Sequence, residues 1–246
     1  MNKYYESKYH RLEENYWWFL ARRNMLSSLI EQSRVNKNSK ILEVGCSGCA
    51  FIRFMNRKGF KNLYGIDISK KAVNLCKSKG VKTAYVMDAA KTKFRDNEFD
   101  LIVSSDILEH IKDDNSAIAE WNRILKPNGA LIIFVPAFNF LWGSHDKINN
   151  HYRRYSRPKL IKALERNNFA IQRSSYWNFS LFFPISLLRF FQRIFLNNKN
   201  QKDDQLYELN TNLNKLLTLL LKLENRLLNN VNFPVGISVF AVAKKR

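Results

Sequence analysis

Two groups of residues in this chain have types and spacing suited to chemistry. The first is Ile41-Leu42-Glu43-Val44-Gly45-Cys46-Ser47-Gly48-Cys49, where an apolar run meets two glycines and a C-x-x-C. The second follows Val135-Pro136 and holds Trp142, His145, Asp146, His151, Arg153, Arg154 and Tyr155, including two of the chain's 4 histidines. A C-x-x-C raises three possibilities: zinc, a redox pair, or a backbone cradle for a nucleotide-like cofactor. Structural zinc takes four Cys/His ligands, and Cys76 is the only other cysteine, with no second C-x-x-C and no H-x-x-x-H. We therefore expect no metal there. A thioredoxin-like pair would also occupy a strand-to-helix turn, but it predicts nothing about the rest of the chain.

A cradle predicts more. Glycine at the first strand-to-helix turn lets backbone approach a ligand, and an acidic residue should end the next strand to receive ribose hydroxyls. Asp67 of Tyr64-Gly65-Ile66-Asp67-Ile68-Ser69 stands at that place, and Asp88 follows the third strand, within reach of an adenine amino group. The glycine spacing is Gly45-x-x-Gly48 with no third glycine, and carboxylates occur at 43, 67, 88 and 106. Such a set repels a pyrophosphate and suits a ligand with a sulfonium and an ammonium group. The cysteines then act as small packing residues.

The strings EVGCSGC, GIDIS, MDA, FDLIVSSDILEHI and LKPNGALII resemble the consecutive motifs of class I S-adenosylmethionine-dependent methyltransferases, over about residues 16–175. The resemblance implies a cofactor loop of Glu43, Gly45, Cys46 and Gly48, with Asp67 on the ribose. It also implies Ile68, Asp88 and Ala89 at the adenine, and Ser105 near the cofactor at the end of the fourth strand. Ser47 and Cys49 depart from G-x-G-x-G, and their small size should let the loop form. Tyr16-Trp17-Trp18-Phe19 with Arg22, and VPAFNFLWGSHD followed by HYRRY, resemble a bacterial subgroup acting in quinone, polyprenyl-lipid and glycan pathways. By that likeness Trp18 and Arg22 close over the cofactor, Arg22 pairing with its carboxylate. Trp17, Trp18 and Phe19 can equally be the buried face of an N-terminal helix.

Methyl transfer from a sulfonium is an in-line displacement that needs alignment and often a base. Ligands of an open α/β sheet lie beyond the carboxyl ends of its strands, so the segment after the fifth strand lies over the acceptor. We expect His145 or His151 to act as base or orienter, with His110 next in line. Trp142, Asp146, Arg153, Arg154 and Tyr155 are the expected acceptor contacts. Asp106, Glu109 and His110 could hold a divalent metal, as in some related O-methyltransferases, but the favoured reading is metal-free.

These residues need a scaffold. Apolar runs at 40–45, 63–69, 81–88, 99–105, 130–136, 169–178 and 236–245 read as strands, and helical patterns alternate with the first six. This predicts an α/β fold: a Rossmann-like, seven-stranded class I methyltransferase sheet with helices on both faces. The expected organisation is one domain, with a cap helix in 1–30, a core in 31–178, a helical insertion in 179–232 and a last strand in 233–246. The cap reads as one helix over 7–30. In the insertion, SLFFPISLLRFFQRIFL (180–196) contains no acid, and Phe183, Leu187, Phe190, Phe191, Ile194 and Phe195 form one face opposite Arg189 and Arg193. The segment 206–228 repeats leucine at helical spacing, and 197–205 reads as a polar linker. The two amphipathic helices suit either an anionic membrane surface or self-packing and a homodimer interface.

The formal net charge of +20, from 41 basic and 21 acidic residues among 246, favours a polyanionic partner, or reflects a lysine-rich, AT-biased proteome, which the many Asn and Lys residues fit equally well. An RNA methyltransferase is the rival enzyme, but no N-P-P-[FYW] motif, catalytic Pro-Cys or RNA-binding module is present. A cofactor-binding protein that has lost activity is the rival from another class. The low, odd cysteine count and the absence of an apolar N-terminal leader point to a reducing, cytoplasmic setting, peripheral on the inner face of the membrane if the insertion docks there. The sequence thus predicts an S-adenosylmethionine-dependent methyltransferase acting on an oxygen, with nitrogen the less favoured atom, of a hydrophobic or lipid-linked small-molecule or glycan acceptor, with nucleic acid the less favoured partner.

Overall fold

The computed structural model describes residues 3–33, 35–195 and 209–246. Its elements run α1 (Lys3–Leu12), α2 (Trp17–Gln32), β1 (Ile41–Val44), α3 (Ala50–Arg57), β2 (Leu63–Asp67), α4 (Lys70–Ser78), β3 (Ala84–Val86), β4 (Phe99–Ser105), α5 (Asp114–Ile124) and β5 (Leu125–Pro136). They continue with α6 (Ser144–Ile148), α7 (Arg157–Glu165), β6 (Phe169–Trp177), α8 (Phe182–Phe195), α9 (Thr211–Leu228) and β7 (Ser238–Lys245). The seven strands form one sheet in the order β3-β2-β1-β4-β5-β7-β6. β1 to β5 pair in parallel, and β7 runs against both its neighbours. The order reverses between β1 and β4, which is where an open α/β sheet opens its ligand crevice.

The core follows from side-chain alternation along strands buried on both faces. Leu101, Val103, Ile132 and Phe134 face the layer holding α2, α3 and α9. Ile102, Leu131, Ile133 and Val135 face α5 and α7, with Trp121 and Leu164 between them. Seven strands and a helical insertion before the last one match the sequence expectation.

Two local expectations are corrected. The cap is two helices, because Arg23 of α2 reaches back and donates to the carbonyls of Glu13 and Glu14. Those carbonyls are lost to a continuous helix, and the chain turns before Tyr16 starts α2. Lys126-Pro127-Asn128-Gly129 is a turn within β5 and not one ahead of it, and the β4–β5 register shifts there.

In the insertion, α9 packs on α2: Asn225 donates to the Ala21 carbonyl (2.9 Å) and accepts from Trp177 Nε1 (2.8 Å). Glu224 accepts from the Phe179 and Ser180 amides at 2.7 and 2.9 Å, tying the start of α8 to α9. The expected linker 197–205, Leu206 and the side chain of Phe195 lie outside the described residues. No helix among the described residues is long and apolar enough to cross a membrane.

Candidate active site

The loop after β1 is built on left-handed backbone. Gly45 has φ +75°, and a Cβ there would stand 1.9 Å from Ile107 Cδ1, so only glycine fits. Ser47 and Cys49 also adopt positive φ, 46° and 58°, although neither is glycine. The expectation that small residues would let the loop form therefore holds at a cost of about 1–2 kcal/mol at each position. Asp67 at the end of β2 accepts from the Ser47 amide at 3.0 Å and the Ser69 amide at 2.8 Å. It thereby ties the loop after β1 to the end of β2. Ile68 beside it is 77% exposed, a large apolar side chain open to a ring. Asp88 accepts from the Ala90 amide, and the Ala89 carbonyl receives Trp121 Nε1.

Half-buried Glu43 fits a cationic ligand. Its Oε2 has no hydrogen-bond partner, and burial, with Glu13 and Asp67 nearby, pushes its pKa well up. An ammonium or sulfonium group would relieve that excess of carboxylate. The cap supplies Glu13, a residue that carries no sequence signal. Its Oε2 accepts from the Gly48 amide at 3.0 Å and the Ser47 hydroxyl at 3.1 Å, so α1 closes on the loop from above. Cys46 is buried in the loop, and burial followed by the carboxylates of Glu43, Asp67 and Glu13 raises its thiol pKa. The C-x-x-C is not a pair: Cys49 is joined to Cys76 of α4, and Cys46 is the free thiol. The reading of all three cysteines as packing residues is corrected for these two, because the fold brings α4 against the start of α3.

Arg22 lies at the end of β4 among aromatic rings. Its guanidinium is sandwiched near Trp177 and Phe134 at 4.2 and 4.3 Å, with Trp18 at 5.3 Å. It donates to Ser105 Oγ (3.0 Å), Asp106 Oδ2 (2.9 Å) and Ser238 Oγ (2.9 Å). Among the described residues the carboxylate it meets is Asp106.

Beyond Asp106 lies a cavity of about 290 Å³. Its apolar walls come from the cap (Tyr16, Trp17, Trp18) and from Leu141 and Ile185, and its polar wall holds Glu109, His110, His145, His151, Arg154 and Arg189. The His151 ring lies 4.5 Å from that of His110 and 5.8 Å from that of His145. The three expected histidines therefore meet. His151 Nδ1 lies 2.9 Å from Asp146 Oδ1. Arg154 Nε and Nη2 donate to the two oxygens of the same carboxylate at 2.8 and 2.9 Å, and the Gly143 amide donates at 2.8 Å. These donors hold the Asp146 pKa well below the usual carboxylate range against the opposing effect of burial. A fixed carboxylate at Nδ1 assigns the proton to that nitrogen and leaves Nε2 as the basic one. Burial, then the neighbouring His151, pushes His145 down to about 4, so it is neutral near pH 7.

The other expected acceptor contacts divide. Arg154 lines the cavity, while Asp146 is fully buried behind His151 as its orienter. Arg153 pairs with Asp114 at 2.8 Å, and buried Tyr155 donates to the same carboxylate at 2.7 Å, so both are struts to α5. Trp142 is not part of the cavity wall, where its neighbour Leu141 stands. Glu109 is fully buried with both carboxylate oxygens unpartnered, and burial followed by Asp106 raises its pKa well above the ordinary value. The metal triad weighed from sequence is rearranged: Asp106 serves Arg22, and Glu109, His110 and His151 bring one ligand atom each within 4.8 Å of one another. Arg189 points inward from α8 into the cavity, and Arg193 Nη2 reaches the Asn139 carbonyl at 3.5 Å. Arg189, expected to face a membrane, thus faces the protein while Arg193 stays exposed, and the outer face of α8 holds Phe183, Leu187, Phe190, Phe191 and Ile194, all exposed.

Comparison with known proteins agrees with this geometry. A family profile described as a methyltransferase domain matches residues 42–133. A ubiquinone biosynthesis O-methyltransferase of Pelagibacter ubique is 28% identical over 169 residues, 59% of this chain and 67% of that protein. An uncharacterised protein of Methanocaldococcus jannaschii is 30% identical over 173 residues, 70% of this chain and 71% of its own length. The chain spans about half, 47%, of a further ubiquinone biosynthesis O-methyltransferase, from Dechloromonas aromatica, at 28% identity over 42% of this chain. Among solved folds, the methyltransferase in complex with the Haloferax volcanii Trm112 activator superposes with TM-score 0.64 at 13% identity, covering 98% of this chain and 94% of that one. Phosphoethanolamine N-methyltransferase 2 of Haemonchus contortus, in complex with S-adenosyl-L-methionine, gives TM-score 0.59 at 20% identity over 90% of this chain and 52% of that one. The seven-stranded sheet agrees with these likenesses, and the chain belongs to the class I S-adenosylmethionine-dependent methyltransferases.

Proposed function

We propose that this methyltransferase acts on an oxygen nucleophile of an amphiphilic, lipid-linked acceptor at an anionic membrane surface. The observation that carries the reading is the Asp146–His151 pair opening into a cavity walled by α8, a helix whose outer face is apolar and exposed. Bound S-adenosylmethionine supplies a sulfonium methyl group, whose carbon–sulfur bond breaks as the new carbon–oxygen bond forms. His151 takes the hydroxyl proton at Nε2, and Asp146 stabilises the imidazolium that results. Neutral His145 and His110 beside it leave room for a polar head, and the aromatic cap excludes water. The O-methyltransferases among the relatives support oxygen over nitrogen.

The membrane reading rests on charge and shape. α8 contains no acid, and α9 alternates exposed Leu216, Leu219, Leu223 and Leu227 with exposed Lys215, Lys222 and Arg226. An apolar stripe flanked by cations suits an anionic interface, and each basic residue near the surface adds about 1 kcal/mol. Because Arg189 faces inward, the attraction falls to α9 and to the overall charge of +20.

The test has two arms. Incubating the protein with S-adenosylmethionine and lipid extract should yield a product heavier by one methylene, found by mass spectrometry and absent with His151→Ala. Liposome flotation should show binding to anionic vesicles that weakens with salt and falls when Phe190 and Phe191 become serine. A dimer that the same change splits, with no vesicle binding, would assign the insertion to self-association instead.

A further inference from the structure

The charges around the cavity do not cancel. Arg154 is met on two nitrogens by Asp146, and Arg22, behind Trp18, is met by Asp106. Glu109 is fully buried without a hydrogen-bond partner on either oxygen, a place for a neutral acid. Arg189 is left over. It is 7% exposed, its Nη1 donates to Gln192 of its own helix at 2.7 Å, and its Nε has no partner. Among the described residues no carboxylate lies within ion-pair distance of it.

The fold makes a place for this cation. A Cβ on Gly143 would stand 2.4 Å from Arg189 Cζ and 2.6 Å from both Nη atoms, so the guanidinium lies against the bare backbone of Gly143 and would have to move for any side chain there. Burial, then the neighbouring Arg154, pushes the Arg189 pKa down, as expected of a cation short of a counter-charge. A buried guanidinium without an anion is costly. A planar fork opening into a cavity is suited to two oxygens of one ligand group.

We propose that Arg189 is the receptor for an anionic oxygen group, a carboxylate or a phosphate, on the methyl acceptor. This rests on the methyl-transfer reading of the same cavity and adds the chemical class of the acceptor. The anion sits at the α8 wall, the reacting hydroxyl meets His151 across the cavity, and the apolar part runs against Ile185, Leu141 and the cap. Arg189 is thus a specificity residue, acting on binding and not on the proton.

The test uses the full chain and three probes of equal length: decanoate, decyl phosphate and decan-1-ol. Fluorescence of Trp17 and Trp18, which line the cavity, reports binding. At least one anion should bind about tenfold or more tightly than the alcohol, the scale of a charge-assisted pair, and the tighter of the two identifies carboxylate or phosphate. Arg189→Gln should erase the preference, and Arg189→Lys should keep part of it. The melting temperature of Arg189→Gln should stay level or rise, since the cation it removes has no partner. Equal affinity for all three probes in the wild type would overturn the proposal. So would a preference surviving Arg189→Gln, or a fall of several degrees in that variant, which would make Arg189 a strut. Calorimetry with S-adenosylmethionine separates the two readings. Cofactor binding without any anion preference sinks this proposal alone, and anion preference without cofactor binding sinks the methyl-transfer reading alone.

Discussion

The two halves of the site solve opposite electrostatic problems. On the β1–β3 side, Glu43, Asp67 and Glu13 crowd carboxylates around one loop, and Glu43 is pushed toward its neutral form by burial and then by the other two carboxylates. On the β5–α8 side, arginines and histidines crowd around one carboxylate, Asp146, and Arg189 lacks an anion. A cationic cofactor and an anionic acceptor would each complete one half. On this proposal, binding specificity lies in the charge each half lacks, more than in the charges it has already paired.

The largest expected effect separates chemistry from cofactor binding. His151→Ala should lower turnover by roughly a hundredfold to ten-thousandfold, the scale of a general base, with cofactor affinity by calorimetry unchanged. Asp146→Asn should lower it less, because His151 stays in place but loses its charge partner. If both variants keep wild-type turnover, the acceptor half is not where the proton goes, and His110 becomes the base to test.

Next is the disulfide on the cofactor side. Cys49 and Cys76 close a loop with a sequence separation of 27. Reduction should lower stability by about 3–4 kcal/mol on chain-entropy grounds, seen as a lower melting temperature in dithiothreitol. Cofactor affinity should change little, because the loop works through backbone groups. If Cys49→Ala with Cys76→Ala melts like the wild type under oxidising conditions, the link contributes nothing.

Asp67→Ala tests the cofactor half directly. It removes both a ribose acceptor and the bond to the Ser47 amide, so affinity for S-adenosylmethionine should fall about a hundredfold by calorimetry. Tight NAD binding with no response to S-adenosylmethionine would instead reverse the electrostatic reading of that half.

The smallest effect is on pH. His145 has a folded pKa of about 4, below its unfolded value of about 6.5. The unfolded chain therefore binds the proton first. The stability held above about pH 6.5 should decline as pH falls toward 4 and level off below, by about 2 kcal/mol for a part-exposed ring. Urea midpoints across that window should show the slope, and His145→Asn should flatten it. A slope unchanged in the variant would assign it to another group.

Much of this was legible in the chain. The seven strands and the loop after β1 follow from local apolar runs and glycine placement, and the carboxylates at strand ends follow from their position in those runs. The break between α1 and α2 was not legible, because Arg23 makes it from ten residues away by taking the Glu13 carbonyl. The pairing of Cys49 with Cys76 depends on how α4 meets the start of α3, and no spacing rule contains that. The residues after β5 were legible as a cluster, and the histidines do meet, but the members were not separable by type. Asp146, Arg153 and Tyr155 are the polar kinds that contact ligands, and only their partners show that they brace the site.

The sequence by itself determined the sheet, the strand-end carboxylates, and that α8 would have a basic and an apolar face, since each follows from periodicity along a few residues. The tertiary structure alone decided which way α8 turns, and so whether Arg189 meets water, lipid or the cavity. It also decided which ions are compensated. Coulomb pairing acts through space: Arg22 finds Asp106 at 84 residues' separation, Arg154 finds Asp146 at 8, and Arg189 finds none among the described residues.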